Sequence, residues 1–362
     1  FSNFNFKKSN LAQSKLLENL TENLIKIYAL NGGMKGGDSS TPPQVAKLLV
    51  RLAEPSENMK ICDPLCGSGS LLVECINQIK NTGGNSDNIS LYGQEINYHI
   101  WSLAKINLLL HNINKFDIRP GDSIRNPQLV DEHGNLINFD RVIANPPLNL
   151  KDWGNEIAET DIYGRFHYGI PPKNEGNFAF IQHILAILNK TGKASVLMSQ
   201  GILINEGLNV NIRKNIIEED LIEAVVALPS KLLYNSSISP VILVFNRNKI
   251  RQRKNKILLI DASQEYKPEN TKNYLQDENI DKIFSTYNKF QNQDGYANIV
   301  SIEELALNNY IINIKQHTNA SLPKVHTQIE LSKQISKLHK LEAERSQIES
   351  EINRYIRTLG RD

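Results

Sequence analysis

Three short segments carry residue types that could do chemistry together. The first is Asp63-Pro-Leu-Cys-Gly-Ser-Gly69, which reads as a strand end followed by a glycine turn. Gly67 and Gly69 let the backbone approach a bound molecule, Pro64 stiffens the exit from the strand, and Asp63 sets a carboxylate beside the turn. The second is a pair of further acidic strand ends, Glu95 in Leu91-Tyr-Gly-Gln-Glu95 and Asp122 in Gly121-Asp-Ser123. A carboxylate placed like Glu95 can accept both hydroxyls of a ribose, and one placed like Asp122 can accept from an exocyclic adenine amine. The third is Asn145-Pro-Pro147, after Asp140-Arg-Val-Ile-Ala144. Two prolines fix the backbone directly behind the asparagine.

The glycine turn lacks the third glycine of a dinucleotide-binding G-x-G-x-x-G, and no Gly-Lys-Ser/Thr follows it, so it is not a P-loop either. A carboxylate next to the turn repels a pyrophosphate and welcomes a cation. A nucleoside with a positive charge, such as S-adenosylmethionine, satisfies all three carboxylates. At the third segment, the Asn145 side-chain carbonyl and the Pro146 backbone carbonyl can point at one amino group. An exocyclic adenine amine is a weak nucleophile because its lone pair joins the ring. Two acceptors that hold its hydrogens favour the pyramidal geometry needed to attack a methyl group. A sulfonium methyl is already activated, so proximity and fixed dipoles carry the rate, with no metal or nucleophilic triad required.

These segments must be brought together by the elements between them. Short apolar runs alternate with helical stretches from Lys60 to Phe245. Strands are expected at Lys60–Asp63, Ser90–Gln94, Asp117–Pro120, Asp140–Ala144, Lys193–Met198, Ile222–Ala227 and Val241–Phe245. Helices are expected at Ser70–Ile79, Tyr98–His111, Phe178–Leu188 and Ile212–Glu219, and Thr41-Pro42 reads as the cap and first residue of another. The pattern predicts an α/β fold, a seven-stranded, mostly parallel sheet covered on both faces. The last two strands, joined without a helix, read as an antiparallel edge pair. Ile257-Leu-Leu-Ile is one more short strand, and a weak helix is expected at Ile280–Phe290 within a polar stretch. Apolar stripes predict an N-terminal helix within Leu11–Leu30 and a long C-terminal helix within Leu322–Leu359. The latter has a seam spacing of about 3.5 residues, which asks for a partner helix, in its own domain or in another subunit. The domain expectation is therefore a helical segment at 1–35, a catalytic domain at 36–260, a polar extension at 261–321 and an assembly helix at 322–362.

Composition narrows the class. The chain has 362 residues, 40% apolar and 22% charged, which is globular. Its 41 basic and 39 acidic residues leave a net charge of +2, too little for a broad surface that wraps nucleic acid unaided. Three cysteines, none in a CxxC pair, exclude a disulfide framework or a four-thiolate metal site, and the histidines have no zinc-ligand spacing, so no metal is expected. No stretch of 18 apolar residues predicts a membrane span, and a cytoplasmic location is expected. Phe1-Ser-Asn-Phe-Asn-Phe reads as an internal start, with residues expected upstream.

The ensemble resembles the modification subunit of Type I restriction-modification systems, an adenine-N6 DNA methyltransferase family. The matching stretches are Gly36-Gly-Asp-Ser-Ser-Thr-Pro-Pro-Gln-Val, Asp63-Pro-Leu-Cys-Gly-Ser-Gly-Ser, Gly93-Gln-Glu-Ile-Asn, Asn107-Leu-Leu-Leu-His, Gly121-Asp-Ser and Ala144-Asn-Pro-Pro. Downstream, Arg165-Phe-His-Tyr-Gly-Ile-Pro-Pro, Phe178-Ala-Phe-Ile-Gln-His-Ile-Leu, Ile212-Arg-Lys and Ile222-Glu-Ala-Val-Val-Ala-Leu-Pro match too. The resemblance implies a Rossmann-like methyltransferase fold that binds S-adenosylmethionine near Thr41, Asp63, Pro64, Gly67, Gly69, Glu95 and Asp122. It implies a flipped adenine presented to Asn145, Pro146 and Pro147, with Leu148, Arg165 and Phe166 on the substrate side. It implies DNA, a DNA-specificity subunit, a second modification subunit and, optionally, a motor-nuclease subunit as partners.

Two departures from the family pattern bear on activity. Ser39-Ser40 stands where an aromatic precedes Thr-Pro, and Leu148 where an aromatic follows Asn-Pro-Pro. Base stacking is worth about 1–3 kcal/mol, so both changes predict weakened binding, with Phe166 or Trp153 as substitute rings. A degenerate, non-catalytic scaffold with the same fold is the alternative reading. A methyltransferase acting on a protein glutamine amide is a rival that needs neither the Thr41-Pro segment nor the C-terminal helix.

Overall fold

The computed structural model describes residues 41–234, 237–269 and 272–318, together with positions 345 and 348. The expected helix within Leu11–Leu30, Ser39-Ser40 and, apart from the helical Arg345 and Ile348, the C-terminal helix lie outside the described residues. Described residues up to 318 belong to one unit, and residues 320–362 to another. The sheets and their flanking helices lie in the first unit.

The chain opens with helix α1, Pro43–Ala53, whose Val45, Leu48, Leu49 and Leu52 are buried on one face as their spacing predicts. Thr41 is not its cap. Pro42 holds that position with no side-chain bond, and Thr41 is used elsewhere. The chain then alternates through β1 (Lys60–Asp63), α2 (Ser70–Asn81), β2 (Ser90–Glu95), α3 (Tyr98–Leu110), β3 (Phe116–Pro120) and β4 (Phe139–Ala144). After a long irregular segment follow α4 (Asn177–Ala186), β5 (Leu188–Ser199), α5 (Leu208–Glu218), β6 (Ile222–Ala227), β7 (Pro240–Asn246) and β8 (Lys256–Asp261). A small hairpin, β9 (Lys267–Glu269) and β10 (Lys272–Tyr274), precedes α6 (Asp277–Lys289), β11 (Ala297–Ser301), α7 (Ile302–Leu307) and α8 (Ile314–Thr318).

The sheet has nine strands in the order β11-β8-β6-β7-β5-β4-β1-β2-β3. All seven expected strands are in it, but the sheet does not stop at seven. It is mixed: β7 runs antiparallel to both β5 and β6, and β11 antiparallel to β8. The antiparallel relation expected for β6 and β7 holds, while their edge position does not, because β8 pairs parallel to β6 and carries β11 beyond it. Helix α4 also ends earlier than its apolar run suggested, since Leu188 pairs with Phe139 as the first residue of β5. The segment after 260, polar on average, nevertheless supplies β11 and the α6 residues Ile280, Ile283 and Tyr287, which pack in the main core.

The strand residues alternate between two cores, as expected for a sheet covered on both faces. Ile61, Ile143, Leu197 and Ile242 face α1, α2 and α6, while Cys62, Val142, Val196 and Leu243 face α4 and α5. From β1 the chain winds outward to β2 and β3, then returns to place β4 on the other side of β1. That reversal opens a crevice at the carboxyl ends of the strands, the place where open α/β sheets bind ligands. Asp63, Glu95 and Ala144 are the last residues of β1, β2 and β4, so three of the sequence segments converge there by topology alone.

Candidate active site

A cavity of about 530 Å³ occupies this crevice. Its lining includes Thr41, Asp63, Pro64, Gly67, Glu95, Asp122, Asn145 and Pro147, so eight residues singled out from sequence share one space. Gly67 has a positive φ of 53°, and a Cβ there would meet no atom within 4 Å, so its bare backbone faces open volume. Gly69 differs. Its φ of 77° is the left-handed conformation that favours glycine, a Cβ there would meet Ala104 and Leu108 at ordinary contact distance, and it does not line the cavity.

Three carboxylates are set by short-range hydrogen bonds. Asp63 Oδ1 accepts from the Leu65 amide at 3.0 Å. Glu95 accepts from the Gly67 amide at 3.0 Å and the Asn97 amide at 2.7 Å, tying the glycine turn to the end of β2. Asp122 Oδ1 accepts from the amides of Ile124 and Arg125 at 2.8 and 3.0 Å. Asp63 is almost fully buried. Burial pushes its carboxyl up to about 8, the Leu65 amide opposes this, and the charge of Glu95 adds to it. Burial and the same two carboxylates also push the Cys66 thiol up, which keeps it protonated and unreactive at the cavity wall.

Asn145 follows β4, and its Nδ2 donates to Thr41 Oγ1 at 3.0 Å. The amide nitrogen is thereby engaged from the α1 side, which orients the carbonyl oxygen of the same group. Pro146 is buried behind Asn145, and Pro147 lines the cavity.

Three substrate-side expectations need correction or relocation. Arg165, expected on the substrate side, is not among the residues that line the cavity. It is fully buried, bonded through Nε and Nη2 to Asp161 Oδ1 at 2.9 and 2.7 Å, and donates to the carbonyls of Ser123 and Ile124. Leu148 packs against the main core and is not among the lining residues. Phe166 is buried against Trp153, ring centres 5.6 Å apart, and only Trp153 of the pair reaches the wall. The indole of Trp153 is itself immobilised by its bond to the Pro172 carbonyl at 2.9 Å.

Sequence reasoning missed Arg125, which also lines the cavity. Its guanidinium bonds Asp122 at 3.2 Å, Glu156 at 2.5 Å and Asp152, so it fastens the β3 exit to the segment behind Asn145. The spacing of Asp122 and Arg125 was the available signal, but Asp152 and Glu156 reach it only through the fold. Among the described residues no cluster of three metal-ligating side chains occurs, and no helix is long and apolar enough to cross a membrane.

The family model described as N-6 DNA Methylase matches residues 12–324. The methylase subunit of the Type I restriction enzyme MjaVIII from Methanocaldococcus jannaschii is 40% identical over 316 residues, 84% of this chain and 54% of that protein. The HindI methylase subunit from Haemophilus influenzae is 33% identical over 85% of this chain and 70% of that protein. A crystal structure of the type I restriction-modification system methyltransferase subunit from Streptococcus thermophilus aligns with a TM-score of 0.77 at 27% identity, over 87% of this chain and 66% of that one. The chain thus spans little more than half the length of several curated relatives it matches. Its mixed nine-stranded sheet and flanking helices are those of the S-adenosylmethionine-dependent methyltransferase fold. The chain belongs to the N-6 DNA methylase family, with the methylase subunits of Type I restriction enzymes as its relatives.

Proposed function

We propose that this chain transfers a methyl group from S-adenosylmethionine to the N6 amine of an adenine in DNA, as the modification subunit of a Type I complex. The observation that carries this reading is the meeting of Asp63, Glu95 and Asp122 with Asn145 around one cavity. Its volume lies within the range of about 300–1,000 Å³ typical of ligand pockets. In this reading β1–β7 form the catalytic sheet proper.

The donor set fits this cofactor. Asp63 receives its cationic part, Glu95 the ribose hydroxyls and Asp122 the adenine amine, while Gly67 leaves room for close approach and Pro64 stiffens the turn. When bound, the cofactor supplies a methyl group already activated by a sulfonium. The remaining work falls to the chain. Asn145 Oδ1 and the Pro146 carbonyl accept the two hydrogens of the target amine and turn its lone pair toward the methyl. Thr41 holds the Asn145 amide in that orientation, and Pro147 keeps the turn rigid. The amine nitrogen would gain the methyl carbon as the sulfur–methyl bond breaks, the electron pair staying with a neutral thioether, and one N–H proton would go to water. Preorganised acceptors supply the rate, because they need no rearrangement as charge develops on nitrogen.

The near-neutral charge supports a division of labour, with a specificity subunit reading the DNA sequence and a second modification subunit and a motor-nuclease subunit completing the complex. Tritiated methyl transfer to unmethylated DNA, with and without the specificity subunit, tests the reading, and Asn145→Ala ties any signal to this site. Transfer that needs the specificity subunit and vanishes in Asn145→Ala supports it. A native complex that binds DNA without binding S-adenosylmethionine would instead favour the non-catalytic scaffold.

A further inference from the structure

Ile162 is 85% exposed, on a loop held by a buried ion pair and tied to the cavity wall. Asp161 and Arg165 close this five-residue loop through a buried ion pair, with side chains 3% and 1% exposed. Asp161 also accepts from the Arg165 amide at 2.7 Å, and its carbonyl from the Gly164 amide at 3.3 Å. Two separate links join the loop to the cavity wall. Arg165 donates to the Ser123 carbonyl at 3.0 Å and the Ile124 carbonyl at 2.8 Å, and Ser123 lines the cavity. Phe166 stacks obliquely on Trp153, which lines the cavity from the other side. The guanidinium of Arg165 also lies 5.5 Å from the ring centre of Tyr163, steadying the loop tip.

Burying two charges is costly unless both are fully hydrogen-bonded. This loop meets that requirement, and it holds an exposed isoleucine on a segment tied at two points to residues that line the cavity. Resting on the adenine-methylation reading above, the geometry points to Ile162 as an apolar wedge that enters the DNA base stack and fills the gap left by the extruded adenine. Proteins that distort DNA use aliphatic side chains in this way, offsetting lost stacking with apolar contact. An adenine in the cavity leaves an adjacent hole in the duplex, and a side chain with no charge and no hydrogen-bonding group is the chemistry that fits it. The ion pair gives the wedge its function: a mobile isoleucine would lose the contact to entropy.

The test uses the complex reconstituted with its specificity subunit, and DNA carrying 2-aminopurine at the adenine that the native complex methylates. Its fluorescence rises when the base leaves the stack. In Ile162→Ala the flipping equilibrium falls about tenfold and KM for DNA rises by a similar factor, while the affinity for S-adenosylmethionine is unchanged. Ile162→Phe keeps flipping near the native level. Both substitutions are at an exposed position, so folding is not at stake. Native fluorescence and KM in Ile162→Ala overturn the proposal. So does an Ile162→Ala subunit that binds its specificity subunit more weakly yet flips normally once saturated with it, since the side chain would then serve protein assembly. A native complex that neither methylates nor flips overturns the methylation reading itself, and the wedge with it.

Discussion

Thr41 and Asn145 stand 104 residues apart in sequence and meet at 3.0 Å, hydroxyl oxygen to amide nitrogen. This contact spans the junction between the segment ahead of α1 and the end of β4, and it engages the nitrogen end of the Asn145 amide. Thr41→Val is expected to lower kcat about two- to tenfold, the loss of one orienting hydrogen bond worth about 0.5–1.5 kcal/mol, with Thr41→Ser close to native. Steady-state methyl transfer with both variants checks this. A loss in Thr41→Ser with Thr41→Val near native would show that the methyl group of Thr41, and not its hydroxyl, matters.

Asp63 makes cofactor binding proton-linked. Its carboxyl is held at about 8 in the empty protein, against an ordinary 3.8. A cation entering the cavity favours the charged form, so binding between these values releases a proton, and affinity rises with pH up to about 8. Titration calorimetry in buffers of different ionisation enthalpy measures the release directly. The empty protein behaves in the opposite sense. Across the same window the folded state keeps a proton that the unfolded state has lost, so stability falls as pH rises. Asp63→Asn is expected to flatten that slope and to weaken binding of S-adenosylmethionine about ten- to a hundredfold, the value of a charge-assisted hydrogen bond.

Arg165 and Asp161 are a stability element. Removing one partner leaves the other charged and buried, at a cost of about 3–5 kcal/mol. Arg165→Met is expected to lower the midpoint of urea unfolding sharply, and the pair Asp161→Leu with Arg165→Met to recover part of the loss. No recovery in the double variant would place the cost in the bonds from Arg165 to the Ser123 and Ile124 carbonyls.

His183 marks the acid limit. Burial and the neighbouring Arg165 charge, Nη1 to Nδ1 3.3 Å, push its imidazole down to about 3. Between about 3 and its ordinary 6.5 the unfolded chain takes up a proton that the folded chain refuses, so stability falls as pH drops through this window. His183→Gln, which cannot titrate, is expected to be less sensitive over the same range in thermal melts recorded against pH.

Leu148 shows where a motif and a fold part company. Its position after Asn145-Pro-Pro147 suggests a substrate contact, but the side chain, partly buried, packs against the core. Truncation to Ala is therefore expected to cost about 2–3 kcal/mol of stability and to leave KM for DNA within about twofold, as a melt and a kinetic assay together would show.

The local chemistry of this protein was written in its sequence. A glycine turn with Asp63 beside it, acidic residues ending two further strands and an asparagine locked by two prolines are each short-range patterns, set by backbone sterics and the types of a few adjacent side chains. Short apolar runs pointed to seven of the strands, because a strand buried on both faces reads as a continuous apolar stretch. The reversal of the chain between β3 and β4, which gathers these segments around one cavity, follows from pairing across the sheet and has no local signature. The same holds for the place of β8 beside β6, for β11, for Arg125 drawn between Asp122, Asp152 and Glu156, and for the burial of Arg165 by Asp161 and the carbonyls of Ser123 and Ile124. Long-range pairing selects among the many partners a charged or apolar residue could have, and only the folded chain makes that selection.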